Sequence, residues 1–300
     1  MFYLTPLRTP KPEEPLSSQL PQMTFGSVPR DGKHLQLSVF DSEQLLTENV
    51  NAKKFVKKYL GSSEFINGND RFCLWIDDSD VAEARSVEFI QKRLEQVAAE
   101  RKRSTSKVAN EFADLPHRFW HRAYKPTDSI IVPRVSSERR EYIPIGYLGP
   151  DTVVSDAAFA VYDAEPWLFA LLTSKMHMVW VRAVGGKMKT DYRYSNTIVY
   201  NNFPVPELSA QAKNELSQRA LRVLDVREYH SEFTLAELYD PDKMPDNLRQ
   251  AHAEVDAAVD KLFSARPFES DEARLSVLFA MYKEAIEAEE AAGAKGKRKK

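Results

Sequence analysis

Apolar positions along this chain fall into two regimes. Up to about residue 207, short apolar runs alternate with turn residues and with stretches of helical spacing. Beyond Pro206 the apolar positions repeat almost purely at helical spacing. In the first regime, Asp41–Leu60 predicts a short helical segment. Its apolar members are Leu45, Leu46, Phe55, Val56 and Leu60, and Gly61 is its stop. Phe65–Gly68 predicts a strand and turn, with Arg71–Asp77 as the returning strand. Ser79–Asp114 predicts a long helix through Val87, Ile90, Leu94 and Val97. Its second half bears Lys92, Arg93, Arg101, Lys102, Arg103 and Lys107, a face suited to a nucleic-acid backbone or to plain solvent. Strand patterns follow at Ser129–Val135, Tyr142–Tyr147 and Thr152–Tyr162. Pro166–Val184 predicts an apolar helix with Met176 and Trp180 in the core and Gly185–Gly186 past its end. Ile198–Phe203 predicts one more strand, closed by Pro204 and Pro206. In the second regime, Leu208–Glu228, Pro245–Phe263 and Asp271–Glu289 predict amphipathic helices. The expected fold class is therefore α+β. A proline-rich extended connector (1–40) leads into a mixed α/β domain (41–207). A small all-helical domain (208–290) and a basic tail (291–300, with KGKRKK at Lys295–Lys300) complete it.

Composition narrows the function classes. The chain has 300 residues, 43% of them apolar and 29% charged, enough for a sizeable core. A formal net charge of -2 provides no global basic field, so any nucleic-acid surface must be a local patch. The single cysteine, Cys73, excludes an internal disulfide and a cysteine-based metal site, and its apolar surroundings predict a core position. Met1–Pro10 lacks the order of a signal peptide, and no apolar stretch approaches the ~18–20 residues of a membrane span. The expectation is a cytoplasmic protein with no membrane partner.

Catalytic motifs are missing from the sequence. There is no G-x-G-x-x-G loop, H-E-x-x-H or G-x-S-x-G. Gly185-Gly186-Lys187 resembles part of a phosphate-binding loop, but Val181 and Met188 occupy its essential glycine and Ser/Thr positions. His117 and His121 stand four apart, yet Pro116 precedes them and no third ligand is evident, so no metal is expected. No Asn/Asp-Pro-Pro-Tyr/Phe tetrapeptide occurs. No catalytic residue is expected in this chain.

The interval 133–200 has a distinctive mixture. Arg134, Arg139, Arg140, Arg182, Lys187, Lys189 and Arg193 are interleaved with Ser136, Ser137, Ser155, Ser174, Tyr192, Tyr194, Ser195 and Asn196. Cations neutralise phosphates, and the hydroxyl and amide groups donate directional hydrogen bonds, a suitable mixture for reading a duplex. A solvated polar surface has the same composition.

Longer strings decide between these. LGSSEFINGNDRFCLWIDD (60–78), PRVSSERREYIPIGYL (133–148), LLTSKMHMVWVRAVGGKMKTDYRYS (171–195) and IVYNNFPVPE (198–207) resemble the target-recognition region of the MmeI-like restriction–modification enzymes. LAELYDPDKMPDNLRQAHAEVDAAVDKLF (235–263) resembles that family's C-terminal domain. The resemblance runs from about residue 20 to 285. It implies that 41–207 is a DNA target-recognition domain of an adenine-specific DNA methyltransferase. The expected partners are double-stranded DNA and a methyltransferase domain or subunit, with or without a nuclease. S-adenosylmethionine is expected in that methyltransferase part and no cofactor in this chain, which alone should not be catalytic. A truncated chain, a split gene and a degenerate remnant all fit.

The resemblance also marks 187–193 as base-reading, with Lys189, Asp191 and Arg193 as readers. Lysine donates to guanine O6 and N7, and aspartate accepts from cytosine N4. In an extended segment residues two apart share a face, so Lys189 and Asp191 would suit one G·C pair. The alternative is an exposed ion pair with no DNA role. Arg134, Ser136, Ser137, Arg139, Arg140, Lys187, Tyr192 and Ser195 are expected to hold phosphates or structure, the arginines pairing with Glu138 and Glu141. A structural or subunit-docking module remains the competing class.

Overall fold

The computed structural model describes residues 14–297, with side chains to residue 291. The expectations for Met1–Pro10 and for the side chains of the basic tail lie outside the described residues. Within the expected extended connector, residues 24–37 contribute β1 (Thr24–Phe25) and β2 (Gln36–Leu37), and Leu35 and Leu37 are buried. Helix α1 (Val39–Glu48) starts at a reciprocal capping box between Ser38 and Asp41 and stops at Asn49, well before the expected end. After a 3-10 turn the chain forms β3 (Val56–Leu60), where β-branched Val56 and aromatic Tyr59 favour a sheet.

Phe65–Gly68 is not a strand. It ends helix α2 (Ser62–Asn67), nucleated by the Glu64 carboxylate accepting from the Gly61 N–H at 3.0 Å and closed by Gly68 at φ +67°. The returning strand β4 covers only Phe72–Leu74. The long helix expected to Asp114 is confined to α3 (Glu88–Arg103), with short helices either side.

Strand β5 (Ser129–Pro133) is followed by β6 (Val135–Ser136) and β7 (Gly146–Leu148). The run 152–162 splits into β8 (Thr152–Val154) and β9 (Ala158–Tyr162). The expected helix 166–184 breaks into α4 (Pro166–Leu172) and α5 (Lys175–Val184), because Ser174 caps α5 by accepting from the His177 N–H at 3.2 Å. Strands β10 (Gly186–Met188) and β11 (Asp191–Arg193) follow. The expected strand at Ile198–Phe203 is instead a π-helical turn over Asn196–Tyr200, again capped by a serine, Ser195. Three long helices close the chain: α6 (Ala210–Tyr229), α7 (Asp246–Phe263) and α8 (Asp271–Lys297). The fold is α+β, a mixed region followed by a helical one.

Two compact units result. One comprises 24–131 with 148–162. Its sheets run β2-β4-β3-β8, with only β3–β8 parallel, and β1-β9-β5. Tyr59, Trp75, Ile90, Leu94 and Phe119 pack in its core, and Cys73 is buried there as expected. The other unit holds 14–23, 132–147 and 163–297 as far as described. It contains α4–α8 and the sheet β10-β11-β6. Met176 and Trp180 are fully buried in it, Trp180 against Phe203, Phe279 and Tyr282.

Candidate nucleic-acid interface

The segment 185–195 is displayed by a rigid support. Helix α5 buries Met176, His177, Val179 and Trp180, so its end is fixed. The Gly185 N–H closes it on the Val181 carbonyl at 2.8 Å. A Cβ at Gly185 would sit 2.5 Å from that oxygen, which is why glycine stands there. The chain then doubles back as a β-hairpin. Gly186 pairs with Arg193, Lys187 with Tyr192 and Met188 with Asp191, and β11 pairs onward with β6 through Tyr192–Ser136 and Arg193–Val135. Behind the hairpin Tyr194 is buried, its hydroxyl 2.9 Å from His177 Nε2 and its N–H donating to the Arg134 carbonyl at 2.9 Å. Burial pushes the His177 pKa down to about 3, so this ring is neutral.

The hairpin corrects the expected geometry. Residues 187–193 are not one extended run: Lys189 and Thr190 form the turn, and Lys189 adopts φ +57°. Lys189 and Asp191 therefore do not share a strand face. Both lie at the tip of the ribbon, where residues 186–190 are exposed. Opposed residues of an antiparallel pair share a face. One face carries Gly186, Met188, Asp191, Arg193 and Val135; the other carries Lys187, Tyr192 and the buried Ser136.

The remaining expected residues divide sharply. Arg193 is exposed. Lys187 stands 4.0 Å from Glu138 and lies over the Tyr192 ring at 5.8 Å. Arg139 pairs with Asp242 at 2.5 Å, with both side chains exposed, rather than with Glu138 or Glu141. Glu141 is taken by Arg249 at 3.0 Å. Arg140 is half-buried. Burial lowers its pKa while the charges of the Asp191 and Asp240 carboxylates act to raise it. Ser137 accepts from the Arg139 N–H at 3.4 Å. Ser195 accepts from the Ile198 N–H at 3.2 Å, a structural cap. Ser136 Oγ is buried with no hydrogen-bond partner among the described residues. Arg134 is half-buried and supplies the carbonyl that holds Tyr194.

Segment 137–143 is tethered to the helices below. The Tyr142 hydroxyl donates to Asp256 Oδ2 at 2.7 Å, the Lys175 N–H to Oδ1 at 2.6 Å, and the Tyr142 ring stacks on His252 at 4.2 Å. Burial raises the Asp256 pKa to about 6 against these two hydrogen bonds.

The basic positions expected on and beyond helix α3 divide: Lys92, Lys102, Arg103 and Lys107 are exposed, whereas Arg101 is withdrawn. Arg101 is buried and its guanidinium donates to the carbonyls of Pro29, Arg30, Phe112, Leu115 and Arg118. Arg93 pairs with Asp41, Lys92 with Glu88 and Arg103 with Glu100. His117 bonds Asp78 at 2.8 Å, whereas His121 stacks on Phe25. No group of three potential metal ligands occurs among the described residues. No helix among them is long and apolar enough to cross a membrane. The hairpin itself was not expected, because the Lys189-Thr190 turn lacks the Asn-Gly signal that announces one, and it places Met188 opposite Asp191.

The layout defines a class: an α+β region that displays a short ribbon sheet, continued by a helical region. Residues 9–207 match the MmeI target recognition domain and residues 208–288 the MmeI C-terminal domain, so the chain belongs to the MmeI family. DNA methyltransferase A of Bacillus subtilis (strain 168) is 43% identical over 270 residues, 90% of this chain and 31% of its own. The Type IIL restriction–modification enzyme MmeI, solved in complex with DNA, matches with a TM-score of 0.84 at 33% identity. It covers 94% of this chain and 37% of its own. The chain thus spans about a third of the length of these relatives.

Proposed function

We propose that this chain reads a specific duplex DNA sequence for an S-adenosylmethionine-dependent, adenine-specific DNA methyltransferase of a restriction–modification system. The observation that carries this reading is the exposed ribbon β10–β11, with Lys189, Asp191 and Arg193, held on a buried scaffold in a member of the MmeI family. A two-stranded ribbon fits the major groove of B-form DNA. There Lys189 donates to guanine and Asp191 accepts from cytosine of one pair, both from the ribbon tip. Arg193 reads a further base. Lys187 and Arg139 reach phosphates. The cofactor and the methyl transfer belong to a methyltransferase part.

Selection of bound duplexes from a randomised pool tests the reading. The wild-type chain should enrich one motif, and Lys189→Glu with Asp191→Arg should invert one G·C pair of it to C·G. Each base contact is worth about 1–3 kcal/mol of discrimination. A motif unchanged at every position defeats the assignment. A second reading, docking of a protein subunit, is favoured by the exposure of Tyr229 (76%) and Phe233 (48%). It predicts no duplex binding even at low salt, whereas DNA reading predicts binding whose log K falls linearly with log salt.

A further inference from the structure

Met188 is the one large apolar side chain on the outer face of the ribbon tip, and it is 49% exposed. A single exposed methionine is ordinary on a protein surface. Its placement is not. It is the direct cross-strand partner of Asp191, precedes Lys189 in the chain, and shares its face with Arg193. Directly opposed side chains on one face have Cβ atoms about 5 Å apart. Successive bases along a strand rise about 3.4 Å. A ribbon that brings Asp191 to one base pair therefore brings Met188 to an adjacent one. At that distance a thioether has no polar edge to satisfy, but it can cover the C5-methyl group of thymine, the apolar feature of the major groove. Its unbranched, polarisable chain can follow the methyl group without a fixed rotamer.

We propose that Met188 is a specificity-determining residue that selects thymine at the base pair next to the one read by Lys189 and Asp191. This rests on the ribbon being the base-reading element. The contact is apolar, so it discriminates by the presence of a methyl group and not by a hydrogen bond. Lys187 lies on the opposite face, so on this face the directly opposed Met188 and Asp191 form one continuous edge.

The test uses the chain with its own selected duplex. Each thymine is replaced in turn by uracil, which deletes only the methyl group. Burying one such group is worth about fourfold in affinity. Uracil at the pair adjacent to the Lys189/Asp191 pair should weaken wild-type binding by about that factor. Met188→Ala should lose this thymine–uracil difference while keeping the G·C preference beside it. Met188→Leu, which retains an apolar end, should keep the difference and shows that the hairpin is intact. Equal binding of thymine and uracil by the wild type, a difference that survives in Met188→Ala, or a sensitive position elsewhere overturns the proposal. The Lys189→Glu/Asp191→Arg swap separates the two levels. A motif that follows the swap without methyl dependence removes only Met188; a motif that ignores the swap, or no duplex binding, removes the base-reading assignment as well.

Discussion

Replacing Asp256 by Asn should change how the stability of the chain depends on pH, with little change in shape. Asp256 is 9% exposed and joins Tyr142 to the start of α5. Its carboxyl titrates at about 6 in the fold, against 3.8 for the free side chain. At about 1.4 kcal/mol per pH unit, ionising it costs the folded state about 3 kcal/mol more than the unfolded one. The sign follows from which state holds the proton. The folded chain keeps it up to about pH 6, whereas the unfolded chain releases it near 3.8. This stabilisation is fully present below the unfolded value and is lost as pH rises through about 6. His177 acts in the opposite sense: its pKa falls from 6.5 to about 3, so its contribution is lost as acid is added. The wild-type profile mixes both, and only the difference from D256N isolates Asp256. Urea denaturation followed by far-ultraviolet circular dichroism between about pH 4 and 7 measures it. The advantage of wild type over D256N should shrink by about 2–3 kcal/mol across that range. Parallel profiles for the two proteins would refute the argument that burial, and not the Tyr142 and Lys175 hydrogen bonds, dominates at this carboxyl.

Two further outcomes are expected. Arg101→Met should destabilise the unit containing α3 by at least about 3 kcal/mol, because five carbonyls, four of them on buried or half-buried residues, lose their donor; a denaturation midpoint unchanged from wild type contradicts this. Arg139→Ala should weaken duplex binding equally for all sequences and lower the slope of log K against log salt by about 0.9, whereas Asp242→Asn, which frees Arg139, should strengthen binding; a sequence-selective loss would make Arg139 a base reader.

Periodicity located the long helices because their burial is periodic. Leu94 and Val97 in α3, Val255 and Val259 in α7, and Met176 and Trp180 in α5 are all buried, although the helix expected over 79–114 is shorter and the one over 166–184 is broken. Breaks and turns were less legible. Each was decided by one side-chain-to-backbone bond that hydropathy does not register: Glu64 starting α2, Ser174 dividing α4 from α5, Ser195 replacing a strand with a π turn. The same competition explains why several serines of the polar interval turned out to be structural. The ribbon was hidden for another reason. Its turn places a lysine at positive φ, where glycine or asparagine is usual, and the strain is borne by the pairing of β10, β11 and β6.

That strained turn bears on the site itself. A chain of net charge -2 has no general attraction for phosphates, so the proposed contact with DNA would depend on a few cations whose present partners are weak. Arg139 and Asp242 are 60% and 74% exposed, and an exposed pair contributes only about 0–1 kcal/mol. The Lys187–Glu138 contact, at 4.0 Å, is weaker still. Exchanging either carboxylate for a phosphate therefore costs little. The arginines with costly alternatives, Arg101 among carbonyls and Arg274 against Asp260, are locked in the structure. Arg140 stands between the two groups: it is half-buried, and the charges of Asp191 and Asp240 act on it. The ribbon thus combines rigid roots with cations that are easily released at its edge. Under the proposed function, the groups assigned to bases stand on the rigid roots, while those assigned to the backbone are free to adjust.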